Sequence, residues 1–213
     1  MTGCLEILGA IASHSMPVIA YHLIITCYGF WLPNDPRGSW SDFVRAWELL
    51  KFGPATKVSG SRSYAHDPHN IARRLEAKKH LSHKPVSFVG LQARAVASGF
   101  HRFVARSGLV IHACSILPEH VHLVVLRHRY EIEKVASHLK ADATSELIDE
   151  NLHPFADQPY RNGKLPSPWS RGQWKCYIFD PAYIRNAISY VERNPLREGM
   201  KAQNWMFVTP YHG

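Results

Sequence analysis

The residues of this chain whose type and spacing could do chemistry together are two histidines and a tyrosine–asparagine pair. His120 and His122 stand one residue apart in Pro118-Glu119-His120-Val121-His122-Leu123-Val124-Val125-Leu126. The run is short, apolar and rich in β-branched residues, which reads as a buried strand. Side chains alternate faces along a strand, so both imidazoles point the same way, with Cα atoms about 6–7 Å apart. Side-by-side imidazoles can hold one divalent metal ion. The plainer alternative is a pair of core histidines, each bonded to a backbone carbonyl. Two imidazoles on one inner face are costly to satisfy that way. Tyr190 and Asn194 are four residues apart in a segment that reads as helix, so they share a face one turn apart. A tyrosine oxygen is a nucleophile once it is oriented and its charge stabilised. An asparagine amide oxygen can complete a metal site begun by histidines. Taken singly, Tyr190 reads equally as an aromatic at the core edge and Asn194 as a helix C-cap.

The elements that must position these residues follow from periodicity and punctuation. Residues 18–28 are the first expected strand, ended by the turn chemistry of Gly29 and of Pro33-Asn34-Asp35-Pro36-Arg37-Gly38. Residues 39–84 read as a long basic insertion, with 42–50 and 67–80 as helical fragments. An insertion of this length between core elements is more often functional than decorative. A helix is expected over 89–107, with Gly108 at its end. Strands at 109–117 and 120–126 are separated only by Pro118-Glu119 and should pair as a hairpin. A helix over 131–150, a proline-rich loop to about 168, a strand at 175–179 and a last helix complete the order. Asp180 suits that helix's N-cap, Pro181 its first position, and Pro195 its stop. In it, Ile184, Ile188 and Val191 form a packing stripe, beside a second stripe of Tyr183, Ala187, Tyr190 and Asn194. Strand, helix, strand, strand, helix, strand is the ferredoxin-like split βαβ order, an α+β class with a four-stranded antiparallel sheet. One face of such a sheet carries the helices, and the other is free to present residues to RNA or DNA.

Composition bounds the partners. The chain has 213 residues and 46% hydrophobic content, enough for one substantial core. We expect a loose leader at 1–17 and one domain over 18–213 that contains the insertion. Net charge is +8 and the pI about 9.4. Residues 61–106 hold nine Lys or Arg (Arg62, Arg73, Arg74, Lys78, Lys79, Lys84, Arg94, Arg102, Arg106) against Asp67 and Glu76. Such a one-sided segment is the footprint of a nucleic-acid binder, or else a solvated helix face. The expected DNA contacts are Arg37, Arg73, Arg74, Lys78, Lys79, Trp169, Arg171 and Gln173. The four cysteines are scattered with no Cys-x-x-Cys, which argues against a zinc ribbon or disulfide framework and fits a reducing compartment. No apolar span reaches membrane length, and the first residues lack the basic start of a signal peptide. We therefore expect a cytoplasmic protein, nucleoid-associated when DNA is bound, and a monomer rather than a homodimer.

Three pieces together resemble the single-tyrosine HUH transposases, specifically the REP-associated tyrosine transposase group. His120-Val121-His122 is similar to the HUH motif. Tyr190-Val191-Glu192-Arg193-Asn194-Pro195 is similar to the family's tyrosine helix, in which Asn or Gln follows the tyrosine by four residues. Tyr28-Gly29-Phe30-Trp31-Leu32-Pro33-Asn34-Asp35-Pro36-Arg37-Gly38 is similar to a signature after the first strand in one subgroup. The match spans about residues 18–200. Asn194 stands where many relatives carry Gln, and the insertion is long for the family. The resemblance implies a ferredoxin-like fold with the histidines on the sheet face. It implies single-stranded DNA substrates, such as hairpins or palindromic repeats. It also implies Mg²⁺ or Mn²⁺ held by His120, His122 and Asn194, and attack by Tyr190 giving a 5′-phosphotyrosine and a free 3′-hydroxyl.

Two other readings compete. A histidine-triad nucleotide hydrolase needs a third histidine at the position of Val124, so its nucleophile is missing. A non-catalytic nucleic-acid-binding module derived from such a transposase would use the same charge, Trp169, Trp174 and Arg171, because stacking and phosphate contacts need no metal. An intact Tyr190 and histidine pair favour the enzyme, since binding alone needs neither.

Overall fold

The computed structural model describes residues 16–33, 47–53 and 70–213. Most of the expected leader, Arg37 and much of the insertion lie outside these residues. Four strands form one antiparallel sheet: β1 (Ala20–Thr26), β2 (Ile111–Ile116), β3 (His120–Leu126) and β4 (Trp174–Ile178), in the order β2-β3-β1-β4. Among the described residues four α-helices accompany them: α1 (Ile71–Lys79), α2 (Gly90–Ser107), α3 (Ile132–Asp149) and α4 (Pro181–Arg197). α2 links β1 to β2 and α3 links β3 to β4, which is the expected split βαβ arrangement. The β2–β3 hairpin closes over Pro118-Glu119, with the Leu117 amide donating to the His120 carbonyl at 2.9 Å.

β1 is buried at all seven positions, because helices lie on both faces of the sheet. On one face Tyr21, Leu23, Ile25, Val121, Leu123 and Val125 pack against Phe100 and Phe103 of α2 and Leu139 and Leu147 of α3. α2 and α3 approach closely at Gly99, where a Cβ would lie 2.5 Å from the Ala143 backbone. On the other face α4 brings Ile184 and Val191 onto Ala20, Ala113, Val124 and Ile178. The expectation of an open second face is thus corrected: the apolar stripe of α4 has to be buried somewhere, and this face is where it goes.

The last helix also corrects its expected stop. Asp180 caps the start, its carboxylate accepting from the Ala182 amide at 2.7 Å, and Pro181 occupies the first turn. Pro195, however, lies inside the helix and is buried. Without an N–H it gives up one bond to the preceding turn, yet the backbone continues helically. The true stop is Gly199, at φ +71°. The Met200 amide donates to Pro195 (2.8 Å) and the Gly199 amide to Leu196 (3.1 Å), the paired bonds of a Schellman ending.

Of the insertion, Trp47–Phe52 forms a 3₁₀ turn and α1 a nine-residue helix. Leu49, Phe52 and Ala77 join Leu32 in a small cluster of their own, apart from the main core.

Candidate functional site

β3 carries His120 and His122 on one face, as strand alternation requires, with ring centroids 4.8 Å apart and planes at 75°. His122 is buried; His120 is half-buried at the strand's start, with the Phe30 ring 5.2 Å away. The sheet register brings in a third imidazole. His22 of β1 stands opposite Val124, diagonally across from His122, and its Nε2 lies 3.0 Å from His122 Nδ1. Sequence reasoning missed His22. Its signal was the alternation Ala20, His22, Ile24, Thr26 along β1, but only strand pairing shows which side chain it meets.

α4 lays Tyr190 across these rings. The Tyr190 centroid is 5.6 Å from that of His22 and 5.7 Å from that of His122. Tyr183, the rival on the same stripe, is 36% exposed, whereas the Tyr190 ring is the one set against both histidines. Asn194 is buried one turn beyond Tyr190, and its Nδ2 has no hydrogen-bond partner among the described residues. The stripe continues to Arg197, whose guanidinium lies 5.3 Å from the Tyr190 ring centroid, over its face. Arg197 was also missed, although spacing of four and then three residues from Tyr190 puts it on that face. Ser115 is a further omission. It pairs with His122 in the β2–β3 register, is fully buried, and its hydroxyl has no partner among the described residues.

Burial depresses the pKa of His122 well below the ordinary imidazole range, and the adjoining His22 and His120 rings push it the same way. His122 is therefore neutral at physiological pH and keeps a ring lone pair, as a metal ligand must. Buried polar atoms left without partners, Ser115 Oγ and Asn194 Nδ2, are uncommon and call for an explanation. The orphaned Asn194 Nδ2 is a donor and suits an acceptor such as a phosphate oxygen, while Oδ1 of the same amide, with His120 and neutral His122, could meet a divalent ion. Among the described residues no group of three or more His, Cys, Asp or Glu is placed to hold an ion. His120, His122 and the Asn194 amide would therefore leave much of the coordination sphere to oxygens of a bound phosphate and water.

The expected DNA contacts divide. On α1, Arg73 and Lys79 are exposed and Arg74 and Lys78 half-buried. Arg73 donates to the Lys51 carbonyl at 2.7 Å, and Lys79 pairs with Glu76 at 3.0 Å. Lys78 reaches Glu119 at 3.7 Å, which ties this basic helix to the residue before His120. Arg102 and Arg106, counted in the basic segment, serve instead to join α2 to α3. Arg106 pairs with Asp142 at 2.6 Å, and Arg102 with Glu146 at 3.1 Å. Trp169 is a core residue: it is 4% exposed, packs against Phe88 at 5.2 Å and donates its indole N–H to Thr144 at 3.1 Å. Its ring has no face left for a base. The strand-end bridge to Cys27 draws it inward.

Arg171 is exposed and Gln173 half-buried, on a loop pinned to the end of β1. The Ser170 amide donates to the Thr26 carbonyl at 2.9 Å, and the Ser170 and Thr26 hydroxyls are bonded. Lys140 of α3 donates to the carbonyls of Ser170 and Gly172; burial lowers its amine to a pKa of about 8. Among the described residues no helix is long and apolar enough to cross a membrane.

No protein family matches the chain, and no curated protein matches it. Solved structures similar to it include a REP-associated tyrosine transposase bound to a REP hairpin, at 12% identity and a TM-score of 0.46, over 93% of this chain and 81% of that one. Another is described as a transposase from Deinococcus radiodurans R1, at 15% identity and a TM-score of 0.34, over 91% of this chain and 99% of that one.

Proposed function

We propose that this protein nicks and rejoins single-stranded DNA, next to hairpin or palindromic repeats, through a covalent Tyr190–5′-phosphate intermediate, in the manner of a transposase. The observation that carries this reading is the convergence of β1, β3 and α4, which sets a tyrosine against two imidazoles at 5.6 and 5.7 Å, with a buried asparagine one turn beyond. Binding alone would not need that constellation.

His120, His122 and the Asn194 amide would hold Mg²⁺ or Mn²⁺. When bound, the ion would neutralise charge on the scissile phosphate. The chain's own residues do the rest. The packed helix fixes Tyr190 so that its oxygen meets one phosphate rather than many. A bond forms from that oxygen to phosphorus and the bond to the 3′ oxygen breaks. The phenol proton is released and the leaving oxygen ends as a 3′-hydroxyl. The phosphotyrosine retains the phosphodiester's energy, so the reverse step joins strands with no added nucleotide. Arg197, over the tyrosine ring, adds positive charge where the phosphate arrives.

The basic helix α1 and Arg171 would track the backbone on either side of the histidines. The test is to incubate the protein with single-stranded hairpin-flanked oligonucleotides and Mn²⁺, then look for a protein–DNA adduct on a denaturing gel. A 5′-linked adduct on the peptide carrying Tyr190 is expected. Binding with no adduct on any such substrate would replace this reading with a non-catalytic DNA-binding module.

A further inference from the structure

We infer that His22 accepts a hydrogen bond from Nδ1–H of His122, and so holds His122 in the one tautomer whose Nε2 lone pair is available to a divalent ion. This deepens the metal reading above, rests on it, and assigns His22 a positioning role. Geometry supplies the argument. His22 Nε2 and His122 Nδ1 are 3.0 Å apart, with ring centroids 5.2 Å apart and planes inclined by only 28°, so the two nitrogens meet edge to edge, close to the plane in which an imidazole donates and accepts. Each residue is only 4% exposed, so water does not compete for the contact.

A neutral imidazole has one N–H and one lone pair. Two arrangements therefore satisfy the bond. In the first, His122 donates from Nδ1 and keeps its lone pair on Nε2. In the second, His22 donates from Nε2, the Nδ1 lone pair of His122 is used, and Nε2 of His122 carries the hydrogen. Only the first leaves His122 able to ligate. Groups that accept from the far nitrogen of a metal-bound imidazole fix its tautomer and raise its basicity. His22 is positioned for that task by strand pairing, opposite Val124 and two residues along from His122 on the same face, before any ion arrives. The Tyr190 ring lies against both imidazoles and limits their rotation.

The experiment reads the tautomer in metal-free protein by long-range ¹H–¹⁵N correlation at pH about 8, above the ordinary imidazole pKa of about 6.5. Mn²⁺ uptake is measured separately by electron paramagnetic resonance. Wild-type protein should show His122 protonated on Nδ1 and bare on Nε2. His22→Phe keeps a ring of similar size and removes the acceptor. It should mix the His122 tautomers and weaken Mn²⁺ binding by about 10- to 100-fold. His22→Gln restores an acceptor oxygen and should recover both. An Nε2–H signal on His122 in wild-type protein overturns the inference, and that measurement decides even where His22→Phe fails to fold. A folded His22→Phe with unchanged tautomer and unchanged Mn²⁺ affinity overturns it as well. The predicted tautomer without Mn²⁺ uptake by wild-type protein overturns the metal reading instead, and the two failures are thereby distinguished.

Discussion

The ring of Tyr190 meets the ring of His122 edge-on, with centroids 5.7 Å apart and planes at 73°. The two belong to elements that meet only because α4 folds back over the sheet face opposite α2 and α3. That relationship leads to the first prediction. Tyr190→Phe should lose the covalent DNA adduct while binding the same oligonucleotide, and Tyr183→Phe should keep it. Gel trapping and peptide mapping check this. An undiminished adduct in Tyr190→Phe would move the nucleophile elsewhere.

The histidine pair leads to the second. His120 lies at the half-buried start of β3, so removing its ring should cost little stability. His120→Ala should lower adduct formation by at least about 100-fold, the scale of losing one preorganised charge stabiliser. DNA affinity should change by less than about tenfold, since phosphate contacts supply most of it. Excess chelator should reproduce the loss in wild-type protein. Full activity in either case would remove the metal from the reaction.

Charge divides between two faces of the molecule, which leads to the third. α1 offers Arg73, Arg74, Lys78 and Lys79 next to Glu119 and the histidines, whereas Arg102 and Arg106 are engaged with acids of α3. Each phosphate contact on a single strand contributes about 0.7 to the slope of log affinity against log salt. Lys79→Gln and Arg73→Gln should each reduce that slope by about this amount, and Arg106→Gln should leave it unchanged. A salt titration by fluorescence anisotropy decides. A slope that responds equally to all three would mean that DNA does not follow α1.

Packing of α2 on α3 leads to the fourth. A Cβ on Gly99 would meet the Ala143 backbone at 2.5 Å, and two helices cannot give way there as a flexible side chain could. Gly99→Ala should destabilise the protein by about 1–3 kcal/mol, the usual cost of overpacking, despite alanine's better helix propensity. Urea denaturation measures it, and an unchanged midpoint would mean that the helices slide apart freely.

His153 leads to the fifth. Its ring is buried, Nδ1 accepts the Phe155 amide at 3.2 Å, and burial lowers its pKa. The unfolded chain therefore takes up this proton first as pH falls. The contribution is intact above the unfolded pKa of about 6.5 and is lost as pH drops toward the folded value. Stability should decline between neutral and mildly acidic pH. His153→Asn, which can accept the same amide without titrating, should flatten part of that decline. An identical pH profile in the variant would assign the effect to other groups.

Much of the architecture was legible in the residues alone. Alternation in 120–126, the two-residue Pro118-Glu119 connection and helical spacing in α2, α3 and α4 are local properties, set by which side chains must face a core. They placed His120 and His122 on one face and Tyr190 above Asn194 on another. The true stop of α4 was also present locally, in Gly199, but the more conspicuous Pro195 masked it; a proline in a last turn forfeits one bond and need not end a helix. What local pattern does not contain is register and docking. Trp169 looked like a base-stacking surface residue and is core, because the loop that carries it is drawn onto the end of β1. Arg102 and Arg106 counted toward the basic segment 61–106 and are engaged by Glu146 and Asp142, acids some 40 residues away in sequence. His22, Ser115 and Arg197 come to the site through strand pairing and the fold-back of α4. Sequence periodicity tells a side chain which way to face; only long-range packing decides what it then faces.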